Sequence, residues 1–527
     1  MLPIFIALLA IAQDKPPDNC TISGTVVNSV TGEPLNKVDV ILERINSQSS
    51  RAAVTATDAS GRFTMVDLDP GTYHLSGKRN GYLETAYGAR RADSSGATIR
   101  LDPGQALGDL KLKLMPYAVI AGTIRDSDGE PLADAHVTAL RITYETGTPR
   151  LEDYTSVETD DLGQYRIRDL PPGKYYVRAK PPTDTWRADH SPDAAKREDP
   201  VPTVYPGSAD PAMAAPVEVR AGARVNNIDV TLVRVRTFTV SGRVLTASGS
   251  GVAEASVGLR PQGKGVEFDG VGFGTPARNP QGDFLIRGVP SGAYLLTAGT
   301  RDNLTASVPV QVGSAAVEGL RVVLGAGSTL RFRITAEGDR KPDLTKLTFM
   351  VTTDGRRGYY LDSNAKSVFG NNQNIAPDHY QVRTERLPAD FYVKSIRTAD
   401  ADVLADGLTL SPAASLELDI VLASDGGKVE GTVTDSSGNP STGATVLLVP
   451  ESRLRNRADL YRTVSSDQYG RYEFTAIPPG DYRLFAWDDI EPGIWFDPAF
   501  LAEREKRGAD VTVRAGASET VKLQTGN

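Results

Sequence analysis

Four histidines, His74, His136, His190 and His379, are the first place to look for metal chemistry. A peptidase-type zinc site needs His-x-x-Glu, a distant third ligand and an open coordination position. The third residues after the histidines are Gly77, Ala139, Asp193 and Val382, so no pair has that spacing. Cys20 is the one cysteine, which removes disulfide frameworks and multi-cysteine zinc or iron–sulfur sites. Residues 258–264 spell most of a phosphate-binding loop, but Gly265 follows where Ser or Thr is needed, and Pro261 denies the phosphates a helix amino terminus. No Gly-x-Ser-x-Gly elbow occurs. Asp126-Ser127-Asp128-Gly129 gathers oxygen ligands but lacks the remaining positions of a calcium loop, so it reads as a solvated hairpin turn. The expectation is a protein that is not an enzyme, with no catalytic residue, no metal and no cofactor.

Stacking is the chemistry that remains. Three long connections carry aromatic residues: Tyr82 and Tyr87 before Gly88, Trp186 and Tyr205 before Pro206-Gly207, and Trp495-Phe496-Asp497-Pro498. Tyr87, Trp186, Tyr205, Trp495 and Phe496 are the candidate ligand-binding residues, because exposed rings at a loop-bearing rim can stack on the apolar face of a sugar. The same rings can instead fold back as lids, since a long loop needs apolar anchors of its own.

What positions these residues is an internal repeat. Thr57-Asp58-Ala59-Ser60-Gly61-Arg62-Phe63 recurs as Thr159-Asp160-Asp161-Leu162-Gly163-Gln164-Tyr165, as Asn279-Pro280-Gln281-Gly282-Asp283-Phe284 and as Ser466-Asp467-Gln468-Tyr469-Gly470-Arg471-Tyr472. Asp or Asn three residues before Gly predicts a type I turn that closes a hairpin on a left-handed glycine. At one fixed distance further on stand Pro70-Gly71-Thr72-Tyr73, Pro172-Gly173-Lys174-Tyr175, Ser291-Gly292-Ala293-Tyr294 and Pro479-Gly480-Asp481-Tyr482. Pro-Gly there predicts a type II turn. The tyrosine predicts a corner, with its ring in the core and its hydroxyl on nearby backbone.

Each copy opens on Gly24-Thr25-Val26, Gly122-Thr123-Ile124, Gly242-Arg243-Val244 or Gly431-Thr432-Val433 and closes on an alternating strand such as Leu110-Lys111-Leu112-Lys113-Leu114. A closing strand at residues 416–422 without a matching signature exposes a degenerate unit, in which Leu387-Pro388-Ala389-Asp390-Phe391-Tyr392 replaces the turn and its tyrosine. Short alternating strands between Gly, Pro, Asn and Asp turns predict an all-β chain, a tandem array of about five β-sandwich domains. The expected divisions are residues 20–115, 117–235, 236–325, a degenerate 326–423, and 424–527. Helix signals are sparse, the best lying at 194–199 and 498–507. Very short linkers predict an elongated molecule whose neighbouring domains hold a defined orientation.

The opening Gly-Thr-Val, a Gly-x-Pro turn (Gly32-Glu33-Pro34, Gly129-Glu130-Pro131, Gly438-Asn439-Pro440), the Gly-x-Phe/Tyr turn and Pro-Gly-x-Tyr together resemble the carboxypeptidase regulatory-like domain. That is a transthyretin-like sandwich grouped with the carbohydrate-binding-like folds. The chain is similar in particular to secreted multi-domain proteins of soil bacteria built from this unit. The resemblance implies the fold but no one activity, because the sandwich serves as spacer, adhesin module, enzyme accessory and sugar binder alike. Some related sandwiches carry a Lys–Asn isopeptide cross-link beside a buried Glu; Lys428 and Glu430 stand near such a position, on one strand face, with no partner assigned.

Composition bounds the setting. The chain has 527 residues, 58 Lys plus Arg against 66 Asp plus Glu, and a net charge of −8. Mild acidity argues against nucleic acid or an anionic membrane as partner. Residues 1–12 are almost unbroken apolar and end Ala10-Ile11-Ala12, which predicts a signal peptide cleaved before a polar linker at 13–19. No other segment is long and apolar enough for a transmembrane span. Cys20 shares strand parity with Ile22 and Val26, so it is expected as a buried thiol in the first strand. The functional expectation is an exported scaffold or interaction protein that is secreted, periplasmic or at the cell surface, with a protein or polysaccharide partner. The alternative is a carbohydrate-binding protein that uses the aromatic loops of the first, second and fifth domains.

Overall fold

The computed structural model describes residues 19–45, 52–145, 148–182, 198–262, 267–268, 273–301, 304–325, 327–338, 340–353, 357–361, 369–375 and 377–526. The cleavage site expected after Ala12, together with Trp186 and His190, lies outside these residues. The chain is all-β, a tandem series of β-sandwiches, and its two α-helices among the described residues are short, Val403–Asp406 and Pro498–Arg504. No helix among them is long and apolar enough to cross a membrane. Contacts divide the chain into two compact units, Met1–Pro116 and Tyr117–Asn527.

In the first unit the opening strand Cys20–Asn28 lies between Arg62–Leu68, to which it runs antiparallel, and the closing strand Ala106–Leu114, to which it runs parallel. The facing sheet orders Ala53–Ala56, Asp39–Arg44 and Gly71–Lys78, with Thr85–Ala86 and Thr98–Leu101 on the far edge. Period-two alternation aims Ile22, Val26, Val40, Leu42, Leu75, Ile99 and Leu112 into one core. Cys20 is fully buried there, and its thiol donates to the Asp102 carbonyl at 3.1 Å. The opening glycine is a matter of close approach: a Cβ on Gly24 would lie 2.1 Å from the Leu110 carbonyl oxygen. That carbonyl is pushed inward by a bulge at Asp109, whose φ is 58°.

The second unit repeats this plan. Opening strands Ala118–Arg125, Arg234–Leu245, Ser328–Glu337 and Gly427–Thr434 each pair antiparallel with one strand of their own sandwich and parallel with a closing strand. Each sandwich has its own apolar core. The predicted hairpin turns are present: Gly61, Gly163, Gly282 and Gly470 have φ between 69° and 77°. In the second sandwich Gly163 N–H donates to the Asp160 carbonyl, and the Asp160 carboxylate accepts from Leu162 and Gln164 N–H. Asp126 and Asp435 cap their turns in the same manner, accepting from Asp128 and Glu130 N–H and from Ser437 and Asn439 N–H.

Three expectations require correction. The Pro-Gly elements are not type II turns, for Gly71 and Gly173 have φ of 155° and 157°, where such a turn needs about 80°. The left-handed residue stands four positions earlier, at Asp67, Asp169, Gly288 and Ala476, where the strand register slips and a bulge redirects the chain toward the other sheet. The helix expected at 194–199 is not formed at its described end, because Glu198–Pro200 is a strand; the helix expected at 498–507 is present as Pro498–Arg504 and a 3-10 turn, Glu505–Arg507.

The third correction concerns the degenerate unit. Its corner element is Pro377-Asp378-His379-Tyr380, not residues 387–392. Tyr380 is fully buried and pairs with Leu408, as Tyr73 pairs with Ile99 in the first sandwich. Residues 387–391 instead lead into Tyr392–Arg397, an additional strand on the edge of the closing strand. The unit also exchanges a pair of residues across two strands. Elsewhere a glycine on the opening strand faces an aromatic, as in Gly24 with Phe63, Gly122 with Tyr165, Gly242 with Phe284 and Gly431 with Tyr472. Here Phe332 is on the opening strand and Gly370 faces it. One ring over one bare backbone satisfies the packing in either order.

Within the second unit the loop at Gly493 touches the second sandwich, since a Cβ on Gly493 would lie 3.1 Å from the Tyr144 carbonyl oxygen. Sandwiches distant in sequence therefore meet.

Candidate functional site

The corner tyrosines make one repeated hydrogen bond. Tyr73, Tyr175, Tyr294 and Tyr482 donate their hydroxyls to the carbonyls of Asp69, Pro171, Pro290 and Pro478, at 2.7 to 2.9 Å. Each bond spans four residues and ties the start of one sheet's strand to the bulge that ends the other's. Burial raises the Tyr294 phenol to about 12 and also pushes Tyr73 and Tyr482 upward. Tyr165 and Tyr472, opposite the opening glycines, donate instead to the carbonyls of Ile228, just before a closing strand, and Val521, within one. These tyrosines are framework residues.

Sequence reasoning missed a second framework contact. The Thr57, Thr159 and Ser466 hydroxyls donate to the carbonyls of Leu35, Leu132 and Ser441 and accept from the N–H groups of Val38, Ala135 and Ala444. In the third sandwich Ala277 takes this place and keeps only the backbone bonds. The signal was present, as Thr or Ser directly before the turn aspartate in three copies.

The candidate ligand-binding residues are not brought together by the fold. Tyr87 is half-buried against the first core, its N–H donates to the Leu75 carbonyl, and burial raises its phenol. Tyr82 packs against the same core, with the Arg79 guanidinium 5.5 Å above its ring and a hydrogen bond from Asn28. Tyr205 leans on the core of the second sandwich. Trp495 and Phe496 lean on a satellite cluster of Leu447, Val449, Tyr461, Phe485, Trp487 and Leu501. Phe496 sits 4.9 Å from the Tyr461 ring, and Phe485 stacks on Trp487 at 5.4 Å. Asp497 caps the helix Pro498–Arg504 by accepting from Ala499 N–H, which fixes the loop's exit.

Among the described residues no group of three or more His, Cys, Asp or Glu stands where it could hold a metal ion. His379 bonds Thr409 through Nδ1 at 3.0 Å. The glycine-rich run at 258–264 begins inside the strand Ser256–Pro261, so Gly258 belongs to a sheet rather than a phosphate cradle. Lys428 pairs at the surface with Glu430 at 2.8 Å and Glu473 at 3.0 Å.

One feature of the second unit had no sequence signal. Glu198–Pro200, from the long connection of the second sandwich, adds a strand to the third sandwich's opening strand. Glu267–Phe268, from the third, adds in parallel to the second's Thr148–Glu158. Each sandwich thus completes a sheet of its neighbour.

The model of the carboxypeptidase regulatory-like domain matches residues 21–114, 119–193 and 428–525. No curated protein matches the chain. Among solved structures, the Bacillus anthracis TIE protein is 14% identical over 59% of this chain and 51% of its own, with a TM-score of 0.17. The chain thus spans about half the length of that protein. The minor pilin GBS52 of Streptococcus agalactiae is 15% identical over 41% of this chain and 96% of its own, with a TM-score of 0.25. BcpA, the major pilin subunit of Bacillus cereus, is 11% identical over 58% and 99%, with a TM-score of 0.15.

Proposed function

The chain belongs to the family of carboxypeptidase regulatory-like domains, and from that premise we propose that it is an exported, non-enzymatic scaffold or interaction protein of the cell envelope or extracellular space. The observation that carries this reading is the repeated use of signature residues as framework. Four corner tyrosines spend their hydroxyls on backbone carbonyls at one structural position. The reciprocal strands between the second and third sandwiches support it further, because they hold two sandwiches in one fixed arrangement. The expected divisions, 20–115, 117–235, 236–325, 326–423 and 424–527, are the modules of this scaffold. Its partner is a protein or polysaccharide at the cell surface. Carbohydrate binding through Tyr87, Trp186, Tyr205, Trp495 and Phe496 has less support, because the described rings lean on their own sandwiches.

The export half is tested by fractionating the native host and sequencing the mature protein by mass spectrometry. Gln13 at or near the amino terminus, in an envelope or culture fraction, is the expected result. An intact Met1 in the cytosol overturns the proposal.

A further inference from the structure

Two departures from the repeat meet at the junction of the fourth and fifth sandwiches. The first is a cation. In the strand pair where Leu42 faces Ala53 and Leu259 faces Phe273, Leu448 of the fifth sandwich faces Arg462. The second is the segment that leads into the fourth sandwich's additional strand, Tyr392–Arg397. Between them lies a cleft of about 270 Å³, with Thr384, Glu385 and Leu387 on one wall and Arg462, Thr475 and Pro478 on the other. The junction is braced on both sides of the cleft: the Tyr392 hydroxyl donates to the Asp425 carboxylate at 3.0 Å, and the Asn456 amide donates to the Ala405 carbonyl at 3.1 Å. The volume lies just below the ~300 to 1,000 Å³ of pockets for drug-sized ligands, which suits a molecule the size of an amino acid.

Arg462 is half-buried, and its Nη1 donates to the carbonyls of Asp459 and Tyr461. Those two bonds hold the guanidinium in place and leave Nε and Nη2 for another acceptor. Asp459 is the acid beside it, but both Asp459 oxygens already accept from Arg457, from Nε at 3.0 Å and from Nη2 at 2.6 Å. Two guanidiniums therefore share one carboxylate, and a second carboxylate at Arg462 would complete the set. Across the cleft Glu385 is exposed, at the bulge where strand register slips between Thr348 and Phe349. It forms no ion pair among the described residues. Leu387 and Pro478, both half-buried, add apolar surface to the same walls. A cation on one wall, a carboxylate on the other and apolar surface beside them are complementary to a zwitterion with an apolar side chain.

We propose that this cleft binds an apolar α-amino acid, with its carboxylate at Arg462, its ammonium at Glu385 and its side chain against Leu387 and Pro478. The proposal goes beyond the scaffold reading and does not depend on it.

Three probes of one shape test it by calorimetric titration of the full chain: leucine, 4-methylpentanoate, which lacks the ammonium, and isopentylamine, which lacks the carboxylate. Leucine should bind saturably and at least tenfold more tightly than either analogue. Glu385→Gln, at an exposed position, should weaken leucine about tenfold and leave 4-methylpentanoate within twofold. Arg462→Gln should abolish leucine binding. Ala389→Trp, another exposed position on the cleft wall, should fill the space and abolish it as well, so the test stands even where loss of the Arg462 bonds unfolds the fifth sandwich. Circular dichroism melts identical to the parent's establish that Glu385→Gln and Ala389→Trp are folded. Absence of saturable leucine binding, an analogue that binds as tightly as leucine, or leucine binding unchanged by Ala389→Trp would each overturn the proposal.

Discussion

Gly163→Val should unfold the second sandwich, at a cost of about 3 kcal/mol or more. Two independent penalties combine at this turn. Gly163 has φ of 69°, a conformation that a β-branched residue resists strongly. A Cβ there would also lie 2.5 Å from the Ile124 carbonyl oxygen and 2.9 Å from the Leu132 nitrogen, both backbone atoms that cannot swing aside. Ile124 is in the opening strand and donates to the Gly163 carbonyl, so relief of the clash breaks the hairpin away from the strand that organises the sheet. Gly129→Val supplies the control within the same sandwich. Gly129 has φ of 88° but nothing within 4 Å of its added Cβ, so it should cost only the strain, about 1 to 2 kcal/mol. Thermal unfolding followed by circular dichroism separates the two, and equal effects would refute the close-approach argument.

Phe332→Gly should be as damaging in the fourth sandwich, for a different reason. The ring is 1% exposed in a core with Phe349, Tyr380 and Leu418, so its removal leaves a cavity worth about 3 to 5 kcal/mol. Adding Gly370→Phe should recover much of the loss, because the double variant has the glycine-opposite-aromatic order of the other sandwiches. Chemical denaturation of the single and double variants measures this coupling. If the second substitution fails to rescue the first, the two orders are not equivalent.

The repeat made most of the fold legible, because turn chemistry and alternation act locally. Asp58, Gly61 and Tyr73 lie within one hairpin, so their spacing survives in the sequence and their roles follow from backbone geometry. The fourth sandwich was harder to read at its signature. Asp378 stands where Pro-Gly elements have glycine, and the exchange of Phe332 with Gly370 appears only once strand register is known. The true left-handed positions, Asp67 and Ala476 among them, were hidden because an ordinary residue can occupy a bulge at modest cost. The strands Glu198–Pro200 and Glu267–Phe268 were illegible, for three and two residues are too few to carry a period.

The aromatic loops decide between a framework and a binding surface, and Trp495 tests that choice most directly. Its ring lies beside Phe496 over a satellite cluster of the last sandwich, and the neighbouring Gly493 touches Tyr144. Trp495→Ala in the full chain should therefore cost about 2 kcal/mol and lower the unfolding temperature by a few degrees, while a glycan array reads the same for parent and variant. An unchanged melting temperature together with loss of binding to a polysaccharide would contradict the scaffold account and make the loop a recognition surface.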